Sequence, residues 1–176
     1  MSRENIIVSG AGGQGIMLLG KIIASSAMKE NKHVTWLPAY GAEVRGGTAH
    51  CMVIISDEPI GSPYILKADT LIIMNEPSLE KFQHRLNPKG LLLFNSSFVK
   101  ANLAQTNCFG WPFTDIALKL GNAKVANMVA LGSYISRART LKKETILRVI
   151  VEMAPAGKQD LIAINKKALE EGMQLK

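Results

Sequence analysis

The chain has 176 residues, of which 47% are hydrophobic and 20% are charged. This length fits one domain, and the apolar fraction supports a core, which excludes a disordered chain. The net charge of +7 indicates an anionic ligand or an acidic protein partner, whereas sparse aromatic residues and the lack of an RNA-binding motif argue against nucleic acid.

The sequence lacks the features of a secreted or membrane protein. Residues 1–5 carry no apolar stretch of signal-peptide type, and no apolar run is long enough to span a bilayer, so we expect a cytoplasmic protein. Cys51 and Cys108 lie far apart and outside any CxxC motif. Because zinc and iron–sulfur sites usually need four ligands, some closely spaced, we expect reduced thiols and no metal or cofactor bound by this chain alone.

A glycine-rich turn separates the first predicted strand from the first predicted helix. Apolar β-branched residues predict a strand over 5–8, and a buried apolar pattern predicts a helix over 14–29. The turn GAGGQG lies between them, where exposed N–H groups at a helix start favour an anion. Its candidate residues for contact with a ligand or another subunit are Gly10, Gly12, Gly13, Gln14 and Gly15.

The second predicted strand, 34–37, does not complete a dinucleotide-binding pattern. A nicotinamide enzyme would place Asp or Glu at its end to bind the ribose hydroxyls, but Pro38 and Ala39 follow. The next strand is predicted over 50–56, and the connection barely allows the dozen or more residues that a parallel crossover takes. We therefore expect an antiparallel or irregular pairing of these two strands.

The rest of the chain alternates apolar strands with helices. A strand over 70–74 is followed by a helix that starts within 75–78, with Ser78 as N-cap, and runs to about 86. The further predictions are a turn at 87–90, strands at 91–94 and 108–111, and helices at 113–120, 125–135, 143–153 and 160–173. This alternation predicts an α/β fold, with one Rossmann-like, three-layer domain over 1–176 and a mostly parallel sheet that includes an antiparallel strand.

A second glycine-rich segment, YGAEVRGGT, occupies residues 40–48. Three glycines allow sharp turns, and a guanidinium suits bidentate binding of an anion. The segment should lie at the same carboxyl edge of the sheet as the glycine turn, where open α/β sheets bind ligands. An internal pair of its Glu and Arg, which only rigidifies the loop, is the alternative. The candidate site residues here are Tyr40, Gly41, Glu43, Arg45, Gly46 and Gly47.

Asn75 follows the strand over 70–74 and is a further candidate contact for a ligand or a partner; its alternative role is to cap the next turn. General catalysts are scarce, since among three histidines only His50 lies near the Arg45 loop. No Gly-x-Ser-x-Gly, His-Glu-x-x-His or spaced Cys/His motif is present. We therefore predict no catalytic residue, and a chain that completes the active site of other subunits.

These segments together resemble one family. GxGGQGI at 10–16, LPxYGxExRGG at 37–47 and NxPSL at 75–79 are similar to the gamma subunit of 2-oxoacid:ferredoxin oxidoreductases. LNPKG at 86–90 and GNAKVANMV at 121–129 extend the resemblance over nearly the whole chain. The chain most resembles the 2-oxoglutarate enzyme, with pyruvate and branched-chain 2-oxoacid versions as alternatives.

The resemblance implies a subunit without catalytic groups in a heteromultimer. In this family the enzyme oxidatively decarboxylates a 2-oxoacid and captures the acyl group on coenzyme A. Thiamine diphosphate with Mg²⁺, bound by alpha and beta subunits, does the carbon chemistry, and iron–sulfur clusters of beta and of a ferredoxin-like delta subunit pass electrons to ferredoxin. The gamma subunit would correspond to a Rossmann-like domain of single-chain pyruvate enzymes and pack near coenzyme A. In isolation the chain would be inactive, and a homodimer is one oligomeric state expected for it.

Two hypotheses from other classes stay open. The glycine turn suggests a stand-alone nucleotide- or flavin-dependent oxidoreductase, although the acid expected at the end of the second strand is missing. A pure scaffold subunit would instead use both glycine-rich loops as contacts to other proteins.

Overall fold

Alternating strands and helices build one mixed sheet with helices on both faces. The computed structural model describes residues 3–39, 48–100, 107–155 and 157–176. Within these ranges the strands are β1 (Arg3–Ala11), β2 (His33–Ala39), β3 (Thr48–Ser56), β4 (Ala68–Ile73), β5 (Leu86–Asn95) and β6 (Cys108–Trp111). The α-helices are α1 (Ile16–Lys29), α2 (Glu76–Phe82), α3 (Phe113–Lys119), α4 (Ala126–Ala138), α5 (Lys143–Met153) and α6 (Gln159–Gln174).

The strand order is β2-β3-β1-β4-β5-β6. β3 runs antiparallel to both of its neighbours, β1 and β2, while the pairs β1–β4, β4–β5 and β5–β6 are parallel. This arrangement confirms the predicted α/β class and the mostly parallel sheet, and it also confirms the antiparallel pairing of the second and third strands. The physical reason is the short connection between them, which cannot hold a helical crossover.

The two faces of the sheet bury separate cores, because side chains alternate along each strand. On β1, Ile6 and Val8 belong to the larger core, which α1 and α3 to α6 cover. Ile7 points to the opposite face, where Leu79 and Phe82 of α2 close a smaller core. Each large aliphatic side chain buried in this way contributes about 1.5–3 kcal/mol.

Helices α4 and α6 pack so closely in the larger core that their backbones are in contact. A Cβ added at Gly132 would lie 2.0 Å from the carbonyl oxygen of Leu169, and one at Gly172 would lie 2.0 Å from that of Val129. Only glycine permits such an approach on both helices. In the parts of the chain that the structure describes, no helix combines the length and apolar character needed to cross a bilayer.

The predicted start of the second helix within 75–78 agrees with the structure, but the predicted N-cap and the predicted carboxyl end are wrong. Asn75, and not Ser78, is the N-cap, since its Oδ1 accepts a hydrogen bond from the N–H of Ser78 at 3.2 Å. The helix ends at Phe82, a single 3₁₀ turn follows at Gln83–Arg85, and Leu86 begins β5 rather than ending a helix. The apolar residue at 86 was compatible with either element, and pairing with β4 decides for the strand.

The predicted turn at 87–90 lies inside β5 as an irregularity. Between Leu86 and Leu91 the pairing with β4 shifts register. Pro88 has no N–H to donate to a ladder, so the chain bulges out there and resumes regular pairing afterwards. The strand is therefore longer than the predicted 91–94, with an interruption where the turn was expected.

Candidate functional site

The glycine turn joins the end of β1 to the start of α1. Gly13 and Gly15 have positive φ angles of 89° and 72°, a backbone conformation that favours glycine. A Cβ at Gly13 would meet no atom of the described residues within 4 Å, whereas one at Gly15 would lie 2.3 Å from Nδ2 of Asn127. Asn127, buried on α4, donates from that nitrogen to the Gly15 carbonyl oxygen at 3.2 Å. The turn is thus open at Gly13 and packed at Gly15.

Gln14 braces the glycine turn against the neighbouring strand. Its Oε1 accepts a hydrogen bond from the N–H of Ala11 at 2.7 Å, and its Nε2 donates to the carbonyl oxygen of Met74 at 3.2 Å. A Cβ at Gly10 would lie 2.6 Å from Oε1 of Gln14 and 2.8 Å from Cβ of Met74. Gly10 and Gln14 therefore pack against each other inside the turn, and both polar atoms of the Gln14 amide are hydrogen-bonded to the protein backbone.

The tip of the turn and the first turn of α1 leave backbone N–H groups for a ligand. Gly12 and Gly13 are exposed. Gly15 is the N-cap of α1, where no described side chain caps the helix and the first turn holds no acidic residue. Because a helix amino terminus carries about half a positive charge, this end is suited to binding and orienting an oxyanion.

Asn75 performs the capping role that was the alternative to a ligand contact. Its Oδ1 accepts from the N–H of Ser78, which satisfies one of the free donors at the start of α2. Its neighbour Met74 donates its N–H to the carbonyl oxygen of Ser9 at 2.8 Å, so the residue lies at the same sheet edge as the glycine turn. A ligand contact of Asn75 stays a prediction.

Residues 40–47 of the second glycine-rich segment are not among the described residues. The predicted site roles in this segment therefore stay predictions for Tyr40, Gly41, Glu43, Arg45, Gly46 and Gly47. The residues on either side of it are described: Ala39 ends β2 and Thr48 begins β3. Thr48 pairs with Ala11, the residue that leads into the glycine turn. Both glycine-rich segments therefore connect to the sheet at its carboxyl edge.

A histidine and a lysine stand next to this edge on the face of α2. The ring of His50 lies 4.8 Å from that of Phe82, and its Nδ1 is buried without a hydrogen-bond partner among the described residues. Lys81 donates to Oγ1 of Thr48 at 3.1 Å. Burial, and then the charges of Lys81 and Arg85, lower the pKa of His50, so the imidazole is neutral at neutral pH.

The sequence prediction singled out His50 but missed Lys81. Nothing in the local pattern marks this lysine, since it sits on a helix with exposed charged neighbours. Only the packing of α2 over the start of β3 brings its ammonium group to Thr48. The lysine therefore adds a positive charge beside the loop that contains Arg45.

The two thiols do not form a reactive or metal-binding site. Cys51 is fully buried under α1, its Sγ lies 3.7 Å from the carbonyl oxygen of Ile16, and burial raises its pKa to about 12. Burial also raises the pKa of Cys108, and both cysteines are free. In the described ranges no three His, Cys, Asp or Glu side chains gather as metal ligands would.

The chain matches the family model described as pyruvate ferredoxin/flavodoxin oxidoreductase over residues 5–175. The chain belongs to this family. The match confirms the resemblance that the glycine-rich segments and the NxPSL motif carried. Because it spans nearly the whole chain, it does not depend on the glycine turn alone.

Two curated relatives differ in how much of their length corresponds to this chain. The ketoisovalerate oxidoreductase subunit VorA of Methanothermobacter thermautotrophicus is 36% identical, over 95% of this chain but 35% of VorA. The 2-oxoglutarate synthase subunit KorC of Methanocaldococcus jannaschii is 33% identical, over 93% of this chain and 91% of KorC. The chain therefore spans about a third of VorA and almost all of KorC.

A solved structure shares the fold. The gamma subunit of a keto/oxoacid ferredoxin oxidoreductase from Geobacter sulfurreducens PCA is 29% identical and aligns with a TM-score of 0.83. The alignment covers 96% of this chain and 95% of that subunit. The α/β arrangement described above is thus also that of a gamma subunit.

Proposed function

We propose that this chain is the gamma subunit of a 2-oxoglutarate:ferredoxin oxidoreductase that depends on thiamine diphosphate and Mg²⁺. The complex would oxidatively decarboxylate the 2-oxoacid, transfer the acyl group to coenzyme A and pass the electrons to ferredoxin. The observation that carries this proposal is the similarity to the 2-oxoglutarate synthase subunit KorC, which is 33% identical and corresponds to this chain over 91% of its length.

The proposed partners are alpha, beta and ferredoxin-like delta subunits, which would hold thiamine diphosphate and the iron–sulfur clusters. The cysteines of this chain do not fit a cluster, since Cys51 is buried under α1 with a pKa of about 12 and Cys108 lies on a different strand. What this chain supplies is a surface at the carboxyl edge of its sheet that meets those subunits.

The same edge would contact coenzyme A, whose phosphates are oxyanions. Three features support this: exposed Gly12 and Gly13, the amino terminus of α1 without an acidic first turn, and the ammonium group of Lys81 beside Thr48. Arg45, in the loop between β2 and β3, would add a guanidinium that binds phosphate in a bidentate manner. The chain would position the acyl acceptor and leave bond making to the other subunits.

Reconstitution with purified alpha, beta and delta subunits tests the subunit role. We expect 2-oxoglutarate-dependent reduction of ferredoxin to require this chain; equal turnover without it would refute the proposal. Within the complex, Arg45→Ala should raise the KM for coenzyme A about tenfold, since a charge-assisted contact contributes about 1.5–3 kcal/mol. Arg148→Ala, an exposed arginine on α5, is the matched control and should leave that KM unchanged.

If Arg45→Ala only weakens assembly and leaves the KM for coenzyme A unchanged, the loop is a subunit interface and the scaffold hypothesis holds.

Calorimetry of the isolated chain with NAD, NADP, FMN and FAD tests the stand-alone oxidoreductase. Tight binding of any of these four would contradict the subunit proposal.

A branched-chain 2-oxoacid is the second candidate substrate, because the identity to the ketoisovalerate oxidoreductase subunit VorA is 36%. Comparing kcat/KM of the reconstituted complex for 2-oxoglutarate, 3-methyl-2-oxobutanoate and pyruvate decides among them. A higher value for 3-methyl-2-oxobutanoate would overturn the assignment of 2-oxoglutarate but leave the subunit role intact.

A further inference from the structure

A cavity of about 730 Å³ opens at the amino edge of the sheet, opposite to the glycine turn. It lies between the first residues of β1 and β4 on one side and residues 136–140, at the carboxyl end of α4, on the other. The volume is within the range of about 300–1,000 Å³ that small-molecule sites occupy. Nothing in the proposed function uses this edge.

The first carboxylate of this cavity, that of Glu4, accepts hydrogen bonds from three hydroxyl groups of the protein. Glu4 accepts hydrogen bonds from Thr70 at 2.8 Å, from Tyr134 at 3.0 Å and from Thr140 at 2.5 Å. Tyr134 is fully buried, so its hydroxyl depends on this partner. Glu4 therefore serves as an internal acceptor, and its hydrogen-bond partners are neutral hydroxyls and not the cations around the cavity.

The second carboxylate is likewise engaged inside the fold. Asp69 accepts from the backbone N–H of Asn5 at 2.9 Å through one oxygen, and from Nδ2 of Asn87 at 2.7 Å through the other. These bonds tie the start of β1 and the bulge of β5 to β4. As with Glu4, the partners of the acid are neutral donors and not the cations that line the cavity.

Among the described residues, four cations line the cavity: Arg3, Lys89, Arg137 and Arg139. The three ion pairs found in the described residues all lie elsewhere. Arg137 is the most enclosed, with its guanidinium 3.6 Å from the centroid of the Phe109 ring and its Nη2 donating to the carbonyl oxygen of Leu175 at 3.2 Å. Its Nε is buried without a partner in the part of the chain that the structure describes, and burial lowers its pKa.

The charges therefore leave the cavity positive. Four cations exceed two carboxylates by two, and the carboxyl end of α4 offsets about half a charge. A concave surface with an excess of one sign concentrates the opposite ion. A phosphate monoester carries about −1.5 to −2 at neutral pH, which matches the excess.

We propose that this cavity binds the phosphate group of a small molecule, held by Arg3, Lys89 and Arg139 at its rim with the guanidinium of Arg137 as its wall. Guanidinium groups suit this ligand because they donate two parallel hydrogen bonds to an oxyanion. The hydroxyl network around Glu4 keeps the ends of β1, β4 and α4 in place beneath it. The site does not depend on the role of the glycine-rich segments.

Titration of the ¹⁵N-labelled chain with pyrophosphate and with ADP, followed by amide chemical shifts, tests this site. We expect the shifts to concentrate at Arg3, Glu4, Asp69 and 137–140. The double variant Lys89→Gln, Arg139→Gln should raise the dissociation constants of both ligands at least about tenfold, because two charge-assisted contacts are lost. Replacing Arg148 and Lys167 by Gln removes the same charge from exposed positions on α5 and α6 and should leave the dissociation constants unchanged.

Several outcomes would overturn the proposal. Shifts that concentrate at Gly12–Ile16 would move the phosphate to the glycine turn, and equal weakening by both double variants would reduce the effect to net charge. Citrate binding as tightly as pyrophosphate would show selectivity for charge and not for phosphate. No shift with either ligand at millimolar concentration, together with binding of poly-glutamate at this surface, would assign the edge to an acidic polypeptide.

Discussion

The two edges of the sheet present different chemical groups at their surfaces. At the carboxyl edge, glycines and backbone groups make the surface, and the side chain of Gln14 only braces it. At the amino edge, charged side chains and hydroxyls make the surface, with Glu4 at the centre of three hydrogen bonds. Sequence motifs mark the first kind of surface, where glycine is required, whereas the second kind arises from residues that are distant in the chain.

The largest expected effect is at the amino edge. Glu4→Leu leaves the buried hydroxyl of Tyr134 and those of Thr70 and Thr140 without their acceptor, and we expect a loss of about 3 kcal/mol in the free energy of unfolding. Denaturant unfolding followed by circular dichroism measures it. Glu4→Gln keeps one acceptor oxygen and should lose less. A neutral effect of Glu4→Leu would contradict the role of Glu4 as the internal acceptor of this edge.

The next effect sharpens the description of the carboxyl edge. Gly15→Ala forces a side chain into a backbone with φ of 72° and against Nδ2 of Asn127, so we expect a loss of about 2 kcal/mol. Gly13→Ala, with φ of 89° and, in the described part of the chain, no atom within 4 Å of its added Cβ, is the matched control and should lose only about 1 kcal/mol. Thermal unfolding of both variants checks this; equal losses would mean that the packing against Asn127 contributes nothing.

A smaller effect tests the brace of the glycine turn. Gln14→Glu keeps an oxygen to accept from the N–H of Ala11 but loses the donor to the carbonyl of Met74 and sets a negative charge against it. We expect about 1–2 kcal/mol lower stability. Hydrogen exchange of the Ala11 amide should remain slow in this variant and become faster in Gln14→Ala. Fast exchange in both variants would locate the contribution of Gln14 in the bond to Met74.

The smallest effect is the pH dependence at His50. Its pKa is lowered in the folded state, so the unfolded chain binds more protons around its ordinary value of about 6.5, and stability should fall as the pH falls through this region. Lys81→Gln removes one of the positive charges that lower it, so an NMR titration of the imidazole should show a higher pKa. An unchanged pKa would indicate that burial and the charge of Arg85 set it without Lys81.

Much of the fold was accessible from the sequence because its signals are local. Continuous apolar runs predicted β3 and β4, and the short connection before β3 predicted an antiparallel pairing, since a crossover helix needs more residues. The end of α2 was not accessible in this way. Leu86 is compatible with a helix or a strand, and only its pairing with β4 selects the strand.

At the carboxyl edge, the position of the glycine turn was accessible from the sequence, while its tertiary contacts were not. The glycine turn can be recognised in the sequence because positive φ angles at Gly13 and Gly15 favour glycine at these positions. The place of Asn127 against Gly15 could not be read from the sequence, because the two residues are far apart in the chain and meet only when α4 packs beside α1. For the same reason Lys81 was missed.

The sequence by itself determined the α/β class, the position of the glycine turn and the family, because strand periodicity, glycine requirements and motif order are all properties of neighbouring residues. Only the tertiary structure decided that Asn75 caps a helix, that Lys81 reaches Thr48 and that Glu4, Tyr134 and Thr140 share one network. These contacts join segments that burial of the two cores brings together, and side-chain hydrogen bonds select partners only after that packing is complete.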